Sequence, residues 1–331
     1  MPERRYDLIS LGEVMLRLSP PRYQRLRWTT SFDIHVAGAQ LNVAANLARF
    51  GKRTAFLSKL PNNDLGLLAR DICAAYGIDM SHVLLIDGTR MGLNFLEFSA
   101  TPRPPVAIFD RRGSAASTLS ADDFDWNALT QSTRIAHTDG IVPGLSDAAR
   151  NAVATYLQAA KANGCLTSFD VNYREHLWTP QSARECWETL LPYVDILVTS
   201  QGVSQLVFGF DGSDEEIAQR YHEKFGCKLV AVTRREIDGI LHGAWNSLAC
   251  HEKEIFYGRR YEFDVIDRYG TGDVFFAGLL YGYLEKDVQF ALDFGNAACA
   301  LAHTLEGDVA HIRVEEVLPL LNDTIDLRVK R

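Results

Sequence analysis

The chain has 331 residues, 47% of them hydrophobic, enough to bury one large core or two smaller ones. Its 34 basic and 42 acidic side chains leave a formal charge of -8 with no long block of one sign, which argues against nucleic acid or anionic membrane as a partner. No apolar run approaches the roughly 18–20 residues needed to cross a bilayer, and Met1 to Asp7 is charged where a secretory leader would be apolar, so the expected location is the cytoplasm. The six cysteines (Cys73, Cys165, Cys186, Cys227, Cys250 and Cys299) are scattered. Without a Cys-x-x-Cys pair or a tight Cys/His group, they read as reduced packing residues rather than a disulfide framework or a zinc site.

In chain order, short β-type runs alternate with helical ones. Tyr6 to Leu11 reads as a strand, Leu41 to Phe50 as a helix, Thr54 to Leu60 as a strand and Leu65 to Tyr76 as a helix. The alternation continues through Ile135 to Thr138, Asp147 to Asn163 and Thr167 to Val171. A helical stretch then closes at Leu190 to Pro192, followed by a strand at Ile196 to Thr199, a helix at Asp214 to Phe225 and a strand at Leu229 to Thr233. Such alternation predicts a parallel sheet covered on both faces, with ligands at the carboxyl ends of its strands. Between about Leu16 and Val36, and again between about Met91 and Arg112, the helical period is lost and apolar and polar residues alternate. These two segments predict a few antiparallel strands forming a lid on a single domain spanning 1–331.

The chemistry concentrates in Asp267-Arg268-Tyr269-Gly270-Thr271-Gly272-Asp273, directly before the apolar run Val274 to Leu284. At a helix start the first N–H groups lack intrahelical partners and the macrodipole is positive, so glycines there let a phosphoryl group approach the main chain. Asp273 then either caps the helix or faces a substrate hydroxyl as general base. In Ala37-Gly38-Ala39-Gln40-Leu41-Asn42, Asn42 and Asn46 share a helical face; a tight turn with a satisfied polar face and a sugar-hydroxyl contact are both open readings. Asp170, Asn172 and Arg174 leave a buried strand on one side, forming a ligand wall or a surface ion pair. Arg111 and Arg112 end a lid strand, where an arginine holds a carboxylate in a bidentate fork or stays solvated. Thr233 to Glu236 follows a strand end, a common place for nucleotide contacts and equally for an exposed charged turn. His303, His311 and Trp245 read as packing or surface residues.

Together these motifs resemble the ribokinase/PfkB family of carbohydrate kinases, and within it the 2-keto-3-deoxygluconate kinases. The resemblance covers nearly the whole chain: Leu11-Gly12-Glu13-Val14-Met15-Leu16-Arg17-Leu18-Ser19-Pro20, the Gly38 to Asn46 segment, Lys59 to Asn63, Asp170 to Trp178, Asp267 to Tyr283 and His303 to Asp308. It implies a three-layer α/β/α core with a small β-sheet lid that often pairs between subunits of a dimer. It also implies ATP-dependent phosphorylation of a terminal hydroxyl, here of 2-keto-3-deoxygluconate, with Mg2+ and a monovalent cation such as K+. On that resemblance Asp273 is the base, and Gly270, Thr271 and Gly272 form the anion hole. Gly38, Asn42, Asn94, Arg111, Arg174 and Asp308 contact the substrate, with the two arginines on its carboxylate. Asn172, Ser200, Thr233, Arg235 and Asn296 border the nucleotide, and Asp267 organises a cation-supporting loop.

The chain departs from the family pattern at several positions. Ser200-Gln201-Gly202-Val203 stands where the family carries Asn-x-x-Glu, so an acidic partner for magnesium is missing. Ala37-Gly38 replaces a Gly-Gly pair, Asn94 stands where a tyrosine is common, and Asp110 precedes Arg111 where an aromatic is common. An unpaired Asp110 would repel an acidic substrate. These departures keep two rival readings open: a kinase for a neutral sugar, and a catalytically weakened sugar-binding sensor or scaffold.

Overall fold

The computed structural model describes residues 4–237, 240–322 and 324; Met1 to Glu3 and most of the last eight residues of the expected 1–331 domain lie outside them. Tyr6–Leu11 forms β1, buried along its whole length. A strand covered on both faces must be apolar on both, and β1 sends Leu8 to one hydrophobic cluster and Ile9 and Leu11 to the other. The remaining core strands are β4 (Thr54–Pro61), β5 (Val83–Ile86), β8 (Thr133–Asp139), β9 (Leu166–Asp170), β10 (Ile196–Ser200), β11 (Leu229–Ile237), β12 (His242–His251), β13 (Glu254–Tyr257) and β14 (Tyr261–Asp264). They order as β13-β12-β11-β10-β9-β8-β1-β4-β5, with β14 also on β12. From β11 to β5 neighbouring strands run parallel, and the β12 to β14 edge is antiparallel.

One face of the sheet carries α1 (Ala39–Arg49), α2 (Asp64–Ala75), and the helices α8 (Thr271–Glu285), α9 (Val288–Ala302) and α10 (Val314–Leu321). The other carries α3 (Trp126–Gln131), α4 (Asp147–Ala162), α5 (Pro180–Leu190), α6 (Gln201–Phe208) and α7 (Asp214–Phe225). Helices α4 and α7 are amphipathic and start on side-chain caps, Ser146 for α4 and a reciprocal Ser213–Glu216 box for α7. Helix α8 is different: it is apolar on nearly every side, because it lies buried between α1, α9 and the sheet. The result is the three-layer α/β/α arrangement that the strand–helix alternation predicts.

A second sheet of four strands, order β3-β2-β6-β7, is built from β2 (Met15–Ser19), β3 (Asp33–Ala37), β6 (Gly92–Glu97) and β7 (Val106–Asp110). It lies in the two segments expected to form the lid, but it is not purely antiparallel: β2 and β6 pair in parallel. The chain leaves β2–β3 for the core and returns only after β5, a crossover long enough to bring β6 back in the same direction. The sequence also left β12 to β14 unread, because an antiparallel edge interrupts the βα repeat.

Arg17 fastens this small sheet to the core. It sits on β2, 1% exposed, and pairs with Asp267 before α8 and Asp308 after α9, each at 3.0 Å. Phe98 and Tyr269 lie against its guanidinium at 5.7 and 5.9 Å from their ring centres. Removing one member of a buried charge set leaves the others uncompensated. Arg17→Met is therefore expected to lower stability by about 3–5 kcal/mol in urea unfolding; a loss below about 1 kcal/mol would contradict the role given to this ion pair.

Candidate active site

Gly270 turns the chain into α8 with φ 74, and a Cβ there would meet the Asp308 carbonyl oxygen at 2.3 Å, so only glycine fits. No side chain caps this helix. Its first-turn N–H groups keep their donor capacity for a ligand, and Asp273 in that turn is not a cap. The carboxylate instead reaches α1, where Asn42 Nδ2 donates to Asp273 Oδ2 at 2.7 Å. Asn42 is itself held in place: its carbonyl accepts from Asn46 Nδ2, while Asn46 Oδ1 accepts from Ala310 N. The two asparagines thus form a polar seam joining α1, α8 and the loop after α9.

Burial pushes the Asp273 carboxyl well above the ordinary 3.8; Asp170 and Asp139 raise it further, opposed by the Asn42 hydrogen bond and by Arg174. The two neighbouring carboxylates end adjacent strands, β8 and β9, in register with each other. Asp170 is pushed up to about 7 and Asp139 to about 6, both mainly by burial. Asp139 accepts from Gln40 Nε2, from Ile141 N and from Asn172 Nδ2 at 3.1 Å, so it ties the start of α1 to the loop after β9. Gly38 opens α1, where a Cβ would meet the Glu13 carbonyl at 2.1 Å.

Beside the α8 N-terminus lies a cavity of about 160 Å³ whose lining includes Asp170, Asn172, Arg174, Ser200, Thr233 and Gly272. The sequence expected Asp170, Asn172 and Arg174 on one wall through strand alternation. They do share the wall, but Asn172 lies beyond the strand in a left-handed conformation, φ 37. Ser200 starts α6 without capping it, and Val203 adds no charge to the cavity. At the lid, Arg111 is buried and held by Glu13 through Nε and Nη2, while Ser114 Oγ donates to the same carboxylate. Arg111 is therefore not the free fork the sequence suggested: only Nη1 turns outward, towards His176 Nε2 at 3.5 Å. The feared repulsion from Asp110 does not arise, because Arg90 pairs with it at 2.6 Å.

Other expected contacts are drawn into the interior. Asn296 is fully buried, accepting from Ser247 Oγ and donating to the Arg259 carbonyl, which removes it from any ligand surface. Arg235, two residues on from Thr233, is engaged with His303 Nε2 at 3.0 Å. Asp308 faces Arg17 rather than a substrate. Asp267 accepts from Arg17, Tyr269 N and Gly307 N, so it fastens the loops before α8 and after α9, a structural role of the loop-organising kind expected for it. Asn94 lies on the inner face of the lid, in register with Arg17, with its Oδ1 buried and unpartnered. Among the described residues no group of three His, Cys, Asp or Glu side chains could hold a metal.

Sequence reasoning passed over Glu13, Gln40, Asp139 and His176, all of which shape this site, and took Trp245, which lines the cavity, for a packing or surface residue. Asp139 did carry a signal: a carboxylate at the carboxyl end of a buried strand, just before Gly140. Because Asp170 keeps its proton to about pH 7 in the native state and releases it near 3.8 when unfolded, its effect on stability is set between those values. The native state binds the extra proton there, so stability declines as pH rises from about 4 to 7. Asp170→Asn retains shape and removes the titration. At pH 8 the variant should be more stable than the parent by on the order of 2 kcal/mol, with a flatter pH profile; thermal unfolding across pH 4–8 reads this directly.

A family model described as pfkB family carbohydrate kinase matches residues 6–313. A 2-dehydro-3-deoxygalactonokinase of Haloferax volcanii is 35% identical over 312 residues, covering 94% of this chain and 95% of its own length. A 2-dehydro-3-deoxygluconokinase of Thermoproteus tenax is 29% identical over 310 residues, 92% and 91% of the two chains. The crystal structure of the 2-dehydro-3-deoxygluconokinase of Thermotoga maritima superposes with a TM-score of 0.92 at 34% identity, covering 97% of this chain and 99% of that one. The uncapped glycine turn before α8, the smaller second sheet and these similarities agree: the chain belongs to the pfkB family of carbohydrate kinases.

Proposed function

We propose that this kinase transfers the γ-phosphoryl group of ATP to the terminal hydroxyl of a 2-keto-3-deoxy sugar acid, with 2-keto-3-deoxygluconate as leading substrate and its 6-phosphate as product. The observation that carries this reading is Asp273, a half-buried carboxylate of raised basicity held by Asn42 beside the uncapped N-terminus of α8. Asp273 takes the hydroxyl proton, the hydroxyl oxygen attacks phosphorus in line, and ADP leaves; the N–H groups of Gly270, Thr271 and Gly272 take up the charge that develops. Asn172, Ser200 and Thr233 line the cavity beside that turn and would hold the phosphates. The absence of a three-residue metal cage among the described residues fits a divalent ion carried on the nucleotide, where Mg2+ neutralises phosphate charge.

Arg174, exposed at the cavity wall, and the outward Nη1 of Arg111 favour an anionic substrate over a neutral sugar. The intact surroundings of Asp273 weigh against a purely binding role. We also propose that the lid pairs between two subunits, because Ile34, Val106 and Ile108 are left exposed on its strands. On this reading Ile108→Glu converts a dimer to a monomer in light scattering, and an unchanged mass would refute the lid interface.

An ADP-release assay with ATP, Mg2+ and a panel of 2-keto-3-deoxygluconate, 2-keto-3-deoxygalactonate, gluconate, fructose and ribose tests substrate class. Turnover is expected on the keto-deoxy acids. Fructose or ribose as the only substrate would retain the mechanism and discard the carboxylate assignment. Asp273→Asn removes the base at almost no change in volume, so kcat should fall by about 10²–10⁴ while ATP affinity stays within a few-fold. Turnover at the parent level would overturn the assignment of the base.

A further inference from the structure

We infer that His176 is a specificity-determining residue, which takes up a proton as the carboxylate of an acidic substrate enters between lid and core and becomes that carboxylate's third cationic partner. The inference rests on the sugar-acid reading above and extends it to a side chain outside the set of residues expected to bind substrate.

The geometry is specific to this residue. His176 belongs to the loop after β9, on the core side, yet its ring stacks on Phe109 of the lid strand β7 with centroids 4.6 Å apart and planes 9° apart. Its Nε2 faces Arg111 Nη1 at 3.5 Å. The Arg111 guanidinium is already compensated by Glu13, so an incoming carboxylate finds little net positive charge on the lid side. Arg174, two residues before His176, supplies charge from the core side. A third positive group at His176 restores the balance that Glu13 removes.

The groups facing the imidazole are Arg111, just after β7, with Glu13 behind it, and Arg174 and Glu175 from its own loop. Partial burial and the two arginines hold His176 below the ordinary 6.5, against the smaller opposing effect of Glu175. Without substrate the ring is therefore neutral at pH 7, with its proton on Nδ1 and the Nε2 lone pair towards Arg111. A carboxylate that takes over Arg111 Nη1 frees that lone pair. Nε2 then accepts one proton from solvent and donates it as a hydrogen bond to the carboxylate oxygen; no bond in the substrate is made or broken. A neutral sugar brings no charge and no proton.

Calorimetric titration of the whole protein with 2-keto-3-deoxygluconate at pH 7, repeated in buffers of different ionisation enthalpy, counts the protons taken up. Uptake approaching one proton is expected for the parent, with acid affinity weakening as pH rises from 6 to 8. His176→Gln keeps a polar side chain on Phe109 but cannot be charged, so it should lose the uptake and bind the acid about tenfold more weakly, with ATP affinity unchanged. His176→Ala should behave alike. Acid binding by the parent without proton uptake, or a Gln variant that keeps both uptake and affinity, would overturn the inference while leaving the sugar-acid reading intact. Failure of the parent to bind any sugar acid, with turnover on a neutral sugar, would remove both.

Discussion

The site depends on keeping a carboxylate largely shielded from water at the start of an apolar helix. Asp273 is the lone acidic residue in the first turn of α8, a helix buried on most sides, and desolvation is the largest influence on its basicity. If water reached it freely, it would be an ordinary weak base. The same burial would be destabilising without partners, and Asn42 together with the macrodipole of α8 supplies them. Asp139 and Asp170 add to the strain, since three carboxylates near one another in a low-dielectric site all resist ionisation. A protein that keeps such a cluster gives up stability near neutral pH for reactivity.

Holding that cluster requires rigid surroundings, and these come from side chains far apart in sequence. Arg17 of the lid joins the loops on either side of α8 and α9 through Asp267 and Asp308. Asp139 joins the beginning of α1 to the loop after β9. Glu13 holds Arg111, so the lid strand is tied to the turn that precedes β2. Each link uses a buried charge or amide to join elements that hydrophobic packing alone would leave free to slide.

Much of the fold was legible because the βα alternation is regular: α7 begins and ends at the predicted residues, and β1, β4, α4 and β10 differ by no more than one residue at either end. The lid was located but its strand directions were not, since the direction of β6 depends on the path of the intervening chain. Among site residues, Gly270 to Asp273 stood out because glycines before an apolar run have a local physical reason. Arg111 was noticed as an arginine at a strand end, but its compensation by Glu13 joins residues 98 positions apart. Asn296 and Asp308 were placed near ligand by resemblance and Arg235 by its position at a strand end, and all three meet partners that no local pattern reveals.

The sequence by itself determined the layers, the glycine turn before α8 and the carboxylate in its first turn, because hydrophobic period, glycine placement and helix termini are properties of neighbouring residues. Only the tertiary structure decided which charged groups remain available to a ligand. Availability depends on what a side chain meets across space: Arg174 meets an open cavity, Arg17 meets two carboxylates, and Arg111 meets Glu13 on one edge and His176 on the other. A charge is functional or structural according to its partner, and partners are set by the fold.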